Sequence, residues 1–515
     1  MKYYVDGLLM NPNESDAGIR AHLASYFGIP EASFRYSLVK RRAVLSNNKP
    51  MNQYSFIVDT YEFVRNTSLH FFEEFQKVEL PRYSIKGEPI VVGSGFMGLF
   101  VAYLLTKAGA KPIVLEQGEI ASERKKTIAF GETRNIISET SNYRNGQGGS
   151  FASFGGYIEQ LKNPANNEYL LSVFHELGLC NYPEIEDFRF CTPEQVSDAE
   201  DKMIASIVQA GGSVLFEAKI VSIERFLGWP KSITYIQGKY KKSHKATSVI
   251  FASGTSEASL MALGCNRVVM EPCASYLGVF LEINGRDFEN EYYGRGKTGT
   301  CPPLFVKEPL NLKGGKQAYL DFAYPNSELV NATVRPNMVD LRVKQKTWSG
   351  SGNAIAVISL PLSPKEASEI SHESSCAFAE KMLSSVFKKE KPFASPAEAL
   401  GDYLSKTEPL MLRDVRPSYK GGIYLANFHR LLPTYLNEML TESLYQAGRK
   451  YPLLGRSGAV LSGFSTLGSS RYSPQNISSG GRGVWNAFPH ALDGRNLLAS
   501  AERALETVLA FLKTA

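Results

Sequence analysis

Pro89-Ile-Val-Val-Gly-Ser-Gly-Phe-Met-Gly-Leu-Phe-Val-Ala-Tyr-Leu-Leu-Thr-Lys-Ala-Gly-Ala-Lys-Pro-Ile-Val-Leu-Glu116 is a complete dinucleotide-binding unit in one continuous stretch. Ile90, Val91 and Val92 form a short apolar run that reads as a buried parallel strand. Gly93, Gly95 and Gly98 then give G-x-G-x-x-G, with Ser94, Phe96 and Met97 in the gaps, and the chain continues into helix-forming residues. Gly93 permits a tight turn, Gly95 lets backbone approach a pyrophosphate, and Gly98 allows the helix to pack closely on the strand. The helix N-terminus offers unpaired N–H groups to phosphates. Gly109 closes the helix, and Lys111 to Leu115 form a second strand that ends in an acid. Glu116 stands where a carboxylate accepts hydrogen bonds from both ribose hydroxyls, and Gln117 follows it.

At 515 residues the chain exceeds a single ordinary core, so two or three packed domains are expected. Apolar residues at 43% and charged residues at 21% fit a soluble globular protein. A formal charge of +6 is small for this length and argues against a nucleic-acid surface. The densest basic spot, Lys40-Arg41-Arg42, lies in an alternating stretch and reads as the solvated face of a strand. Met1 to Met10 lacks the apolar core of a signal peptide, and no run reaches the roughly 18 apolar residues of a membrane span. Six cysteines (Cys180, Cys191, Cys265, Cys273, Cys301 and Cys376) show no C-x-x-C spacing. Zinc and thioredoxin patterns are thereby excluded, and a cytoplasmic compartment with reduced thiols is expected.

Residues 1–80 read as a small α+β module. Lys2 to Met10 is a strand, a helix carries Ile19, Leu23, Tyr26 and Phe27 on one face and ends near Gly28, and two strands follow over Phe34–Leu45 and Gln53–Asp59. Residues 81–267 form the first part of the nucleotide-binding domain. They include a glycine-dense stretch, Gly146–Gly156, in which Gly148, Gly149 and Ser150 are candidates for cofactor contact. A helix over Glu194–Ala210 comes next, and then a hairpin-like pair of strands, Ser213–Phe216 and Ala218–Glu224. A buried strand over Ala246–Gly254 ends in small residues, of which Ser253 and Gly254 let backbone approach a ligand. Residues 268–460 read as a β-rich substrate domain with helical elements. Residues 461–515 return to the nucleotide-binding domain and finish in an amphipathic helix over Leu497–Lys513. The fold class is therefore α/β: a Rossmann-like nucleotide-binding domain, a β-rich substrate domain and a small N-terminal α+β domain. Such interrupted order is the layout of two-domain flavoproteins, in which FAD is contacted from distant segments, and FAD is favoured over NAD as the cofactor.

The same residues carry a family resemblance. Phe34-Arg-Tyr-Ser-Leu-Val-Lys-Arg-Arg42, Tyr54-Ser-Phe-Ile-Val-Asp59, Phe251-Ala-Ser-Gly-Thr-Ser256, Val269-Met-Glu-Pro-Cys273, Leu277-Gly-Val-Phe280, Cys301-Pro-Pro-Leu-Phe305 and Asn427-Phe-His-Arg-Leu-Leu-Pro433 accompany the nucleotide unit. With them the chain resembles the uncharacterised FAD-dependent dehydrogenases of bacteria and plastids, flavoproteins with a small extra N-terminal domain. The resemblance implies bound FAD and places Arg124, eight residues past the acid, near its adenosine half. One stretch departs from that family. Where the family carries an Ala-Gly-Glu-Gly-Ala-Gly-type segment at the ribityl phosphate end of FAD, this chain reads Trp485-Asn-Ala-Phe-Pro-His-Ala-Leu-Asp493. Phe488 and His490 replace glycines, and Pro489, which lacks an N–H, replaces the acid. The arginine of Gly468-Ser-Ser-Arg-Tyr-Ser-Pro474 is also shifted by one position. Both changes fall where the flavin is expected to be gripped and point to a diverged member.

A flavin carries out hydride transfer itself, so the protein supplies orientation and sometimes an acid or base. His490 is a candidate base beside the flavin, and Arg471 and Tyr472 are candidates for the substrate side. His429 and Arg430 are candidates for holding a substrate carboxylate, while Cys301 has no adjacent resolving cysteine. The leading expectation is an FAD-dependent oxidoreductase, a dehydrogenase acting on a small organic molecule, with neither nucleic acid nor membrane as partner. The alternative is a flavin-fold protein with a non-redox role in ligand binding, cyclisation or rearrangement. Substrate identity, electron acceptor and oligomeric state are not legible in these residues.

Overall fold

The computed structural model describes residues 1–514 apart from 12–13, 48, 63, 65–69, 72–79, 81–84, 86, 135, 162, 182–187, 254–269, 273–274, 293–304, 346–351, 363–374, 468–471, 475–481 and 488–495. The N-terminal module is a four-stranded sheet carrying one helix. Its elements are β1 (Lys2–Met10), α1 (Asp16–Phe27), β2 (Phe34–Ser46), β3 (Lys49–Thr60) and β4 (His70–Phe71), with strand order β2-β3-β1-β4. Ser15 caps α1 by accepting the Gly18 N–H, and Gly28 ends it at φ 68°, a left-handed position that glycine takes without strain. Leu23 and Phe27 of α1 pack on Tyr3, Val5, Phe56 and Val58 of the sheet. The basic cluster differs from its expected solvated role. Lys40 pairs with Asp6, while Arg42 pairs with Glu159 at 3.0 Å and lies over the Phe188 ring, joining this module to the next. An arginine with a half-buried carboxylate and an aromatic face within reach is held by both.

The next segment runs β5 (Ile90–Val92), α2 (Phe96–Lys107), β6 (Ile113–Leu115), α3 (Ala121–Arg134), α4 (Ser150–Phe154), β7 (Gly156–Glu159), α5 (Pro164–Leu177), β8 (Phe188–Cys191), α6 (Pro193–Gln209), β9 (Ser213–Leu215), β10 (Ala218–Phe226), β11 (Trp229–Gln237), β12 (Tyr240–Lys245) and β13 (Val249–Phe251). The hairpin-like pairing of the two strands after α6 does not form. β9 joins β6 in parallel, whereas β10 belongs to a separate antiparallel sheet, β10-β11-β12. Glu217, at φ 55°, stands between the two strands where the chain leaves one sheet for the other. β9 is the half-buried edge strand beside the fully buried β6, whereas β10 alternates toward solvent along its length.

The β-rich part contains β14 (Met270–Pro272), β15 (Ser275–Asn284), β16 (Phe305–Asn311), β17 (Gln317–Asn331), β18 (Leu341–Gln345), β19 (Asn353–Leu362), β20 (Ser395–Ala399), β21 (Ile423–Leu425) and β22 (Val460–Leu467). Its main sheet has the order β16-β17-β19-β15-β22-β20-β21, with β18 paired to the far end of β17. Helices Ser375–Ser385 and Thr434–Lys450 contribute Phe378, Leu383, Leu436 and Leu440 to the core shared with β15 and β19. The expected return at residue 461 is corrected here: β22 is an inner strand of this sheet, so the chain leaves it only after Leu467. Then come β23 (Tyr472–Pro474), which pairs with β14, and β24 (Val484–Asn486).

With β24 in place the nucleotide-binding sheet is complete. Its order is β24-β13-β5-β6-β9, and every neighbouring pair is parallel. Each strand is only three residues long, and β5, β6 and β13 are wholly buried. Helix α2 is buried from Phe96 to Leu105 because α6 and the C-terminal helix Leu497–Leu512 both pack on it. The α/β class and the Rossmann-like sheet expected from the sequence are thus present, with β10-β11-β12 inserted between β9 and β13.

Candidate functional site

The turn from β5 into α2 lies at the carboxyl end of the parallel sheet, the edge at which open α/β sheets bind ligands. Gly93 has φ 102°, and a Cβ there would come within 2.7 Å of the Ala252 carbonyl oxygen. A Cβ on Gly98 would stand 2.0 Å from the Gly93 carbonyl oxygen, so only glycine lets α2 cross β5 this closely. Gly95 is different. A Cβ there meets nothing nearer than the Gly146 carbonyl oxygen at 3.9 Å, which leaves room in front of the helix N-terminus. Gly95 is also the N-cap and supplies no side-chain acceptor, so the first N–H groups of α2, at Phe96 and Met97, are not capped by it.

Glu116, buried at the end of β6, is held by its own chain. Its Oε2 accepts from the Ser94 N–H at 2.8 Å and the Ser94 hydroxyl at 2.9 Å, and its Oε1 accepts from the Gly118 N–H at 2.7 Å. A carboxylate offers about four acceptor positions, so one remains. The expectation that both ribose hydroxyls bond to this acid is corrected accordingly: one further donor fits. Gln117 is half-buried beside it. Ser253, after β13, adjoins Gly93, and its hydroxyl is buried with no hydrogen-bond partner among the described residues. Open space at Gly95, an N-terminus without a side-chain cap, a spare lone pair on Glu116 and an orphaned hydroxyl at Ser253 together fit a dinucleotide seated along this edge.

The glycine-dense stretch closes over the acid. The Gln147 N–H donates to the Ser94 hydroxyl at 3.0 Å, and its side chain spans from the Ala121 N–H to Asp201. Arg124 is fully buried, donating to the carbonyls of Thr140, Asn142 and Glu119. Burial lowers its guanidinium from the ordinary value, and Glu116, Glu200 and Glu119 oppose that fall. A Cβ on Gly146 would lie 2.5 Å from an Arg124 nitrogen and 2.9 Å from the Glu116 carboxyl carbon. Gly146 therefore lets bare backbone pass over the buried Arg124 and Glu116 side chains. Gly148 donates to Glu200 at 2.8 Å, Gly149 to the Gly146 carbonyl and Ser150 to the Arg144 carbonyl. Gly148, Gly149 and Ser150, candidates for cofactor contact, therefore have their N–H groups engaged within the fold. Arg124 lies near Glu116.

Glu200 was not legible as a site residue. It is fully enclosed on α6, and burial pushes its carboxyl from 4.5 to about 8, with Asp201 adding to the rise and the Gly148 N–H and Arg124 opposing it. A second buried acid, Glu398, accepts the Phe428 N–H at 2.7 Å and is pushed to about 7, chiefly by burial. His429 and Arg430 serve the fold rather than a substrate carboxylate. The His429 ring stacks on Tyr403 at 4.4 Å with its Nε2 against the Tyr403 carbonyl, and Arg430 pairs with Glu408. His490, Arg471, Gly254 and Cys301 lie outside the described residues, as does Phe488-Pro489. Tyr472 is placed only as backbone in β23.

Arg144, two residues before Gly146, reaches across to the β-rich domain and pairs with Asp340 at 2.9 Å. Asp340 also accepts the hydroxyls of Ser465 and Thr466. A shallow cleft, with room for little more than a water molecule, lies at this junction, lined by Ile128, Ile136 and Tyr143 on one side and Asn331, Thr333 and Phe393 on the other. Among the described residues no helix is long and apolar enough to cross a membrane.

Residues 338–467 match the family model described as "FAD-dependent protein, C-terminal domain-like", which covers most of the inner β-rich sheet and its helices. A protein of Clostridium beijerinckii named "Uncharacterized protein" is 24% identical over 415 residues, 78% of this chain and 75% of that protein. Among solved structures, a flavoprotein/dehydrogenase from Cytophaga hutchinsonii superposes with a TM-score of 0.35 and 11% identity, covering 83% of this chain and 78% of that one. The glycerol-3-phosphate dehydrogenase from Bacillus halodurans, solved with FAD, gives 0.33 and 11%, covering 83% of this chain and 64% of that one.

Proposed function

We propose that this chain is an FAD-dependent oxidoreductase acting on a small organic molecule. The reading rests on one conjunction: a dinucleotide seat at Gly93–Gly98 and Glu116 stands in the same chain as a domain, 338–467, of an FAD-dependent family. The α2 N-terminus would receive the pyrophosphate over Gly95, Glu116 would accept one ribose hydroxyl, and the Ser253 hydroxyl would face the bound cofactor. FAD supplies the hydride or electron transfer when bound. The protein's own residues bind, orient and exclude water. Ser94 fixes the Glu116 carboxylate so that it keeps its orientation, and Gln147 fixes Ser94 in turn. Dehydrogenation is the form of flavin chemistry that the sequence resemblance implies, and it is the reaction class proposed here.

The visible spectrum of the purified protein, with chromatographic identification of the released cofactor, tests this directly. Flavin bands near stoichiometry are expected; a colourless protein that also fails to bind added FAD would overturn the reading. Gly95→Val sharpens the test. Gly95 has φ −64° and ψ 169°, a conformation valine adopts freely, and its Cβ enters open space. The variant should keep its far-UV circular dichroism and melting profile yet lose flavin retention. Full flavin content in that variant would place the cofactor elsewhere.

A further inference from the structure

Asp340 and Arg342 share one face of the strand that begins at Leu341, opposite the buried Leu341 side chain. That strand, β18, packs against α4, so this face looks toward the segment carrying Arg144. Two guanidinium groups and one carboxylate meet here. Asp340 is already engaged by Arg144, Ser465 and Thr466. Arg342, by contrast, makes one hydrogen bond among the described residues, from Nη2 to the Thr466 carbonyl oxygen at 2.7 Å. A guanidinium carries five N–H donors in a planar fork, so most of its fork is uncommitted. Arg342 retains some solvent exposure, yet burial and the facing Arg144 together push it down to about 10. A surplus positive charge set deep in a domain junction is unfavourable unless an anion joins it. Junctions between domains are also where small ligands tend to bind.

We propose that Arg342, supported by Arg144, anchors an oxyanion of the small-molecule substrate, a carboxylate or a phosphate, at the junction of the nucleotide-binding fold and the eight-stranded sheet. That the anion belongs to a redox substrate rests on the FAD-dependent reading; the anion site itself does not. Arg342 presents a fork that matches either oxyanion bidentately, while Asp340, shared with Arg144, offsets only part of the positive charge of the two guanidinium groups.

Thermal melting of the full chain as purified, titrated with sodium benzoate or inorganic phosphate against sodium chloride at equal ionic strength, tests the site without requiring flavin. Saturable stabilisation by one of the two oxyanions beyond that of chloride is expected, and the one that stabilises identifies the headgroup. Arg342→Gln should weaken that binding about tenfold or more, the loss of charge-assisted hydrogen bonds. Arg342→Lys, which keeps the charge and loses the fork, should weaken it several-fold and serves if the glutamine variant fails to fold. No stabilisation beyond chloride, or unchanged affinity in a folded Arg342 variant, overturns the proposal. A colourless protein that still binds the oxyanion through Arg342 would leave the site standing and remove only its link to flavin chemistry.

Discussion

Glu200 is one of the residues that hold the glycine-dense loop over the candidate site, its carboxyl receiving the Gly148 N–H while Gln147 bonds Ser94, Ala121 and Asp201. Its folded value, about 8, lies above the ordinary 4.5, so the fold favours the protonated form. The stability this group contributes is full below about pH 4.5 and is lost as pH rises through about 8. A shift of that size corresponds to on the order of 5 kcal/mol for an enclosed group. Glu200→Gln keeps the acceptor for Gly148 and cannot ionise. Melting curves from pH 5 to 9 should therefore show the wild type losing stability relative to the variant as the pH rises. Parallel curves would mean that Glu200 does not titrate with folding. None of this was readable from Glu200 itself, which sits in an ordinary amphipathic helix 52 residues from its partner. Glu116 was readable, since the acid ends a strand of the motif, whereas Arg124 came to notice only through the family resemblance.

At the scale of elements, the β5–α2–β6 unit is closed by contacts within one short stretch, which is why its strand, turn and helix could be read from spacing alone. Gly98 is the contact that fixes the crossing of α2 over β5. Gly98→Ala would set a methyl 2.0 Å from the Gly93 carbonyl oxygen and force the helix outward. Urea unfolding should show a loss of about 1–3 kcal/mol, the usual range for overpacking, together with weaker flavin retention. A variant as stable as wild type would mean that α2 moves freely on the sheet. The helix Leu497–Leu512 and the N-terminal elements were equally legible because apolar spacing and caps are local signals. The pairing of the two strands after α6 was not. Adjacent strands in the chain suggested a hairpin, yet β9 finds its partner in β6 and β10 in β11, pairings between segments that spacing along the chain does not reveal.

At the scale of the whole molecule, three cores are stitched together by a few charged contacts. Arg42 ties the N-terminal module to Glu159 and Phe188, and Arg144 ties the nucleotide-binding segment to Asp340. The Arg42–Glu159 pair is about a quarter exposed on each side, so its contribution is that of a screened surface pair. A double-mutant cycle with Arg42→Ala and Glu159→Ala, read from amide exchange along β2, should give a coupling of about 0.5–1 kcal/mol that shrinks at high salt. Zero coupling at low salt would mean that other contacts hold the module. The sequence by itself determined the strand–turn–helix–strand unit of β5–α2–β6, the α/β class and the N-terminal module, because glycine spacing, strand composition and caps act between residues close in the chain. Only the tertiary structure decided what lies over that unit and what faces it. Gln147 reaches Ser94 and Glu200 reaches Gly148 from separate segments, and Arg144 meets Asp340 across 196 residues. Such charges find each other through packing and desolvation, which leave no periodicity for a linear reading to detect.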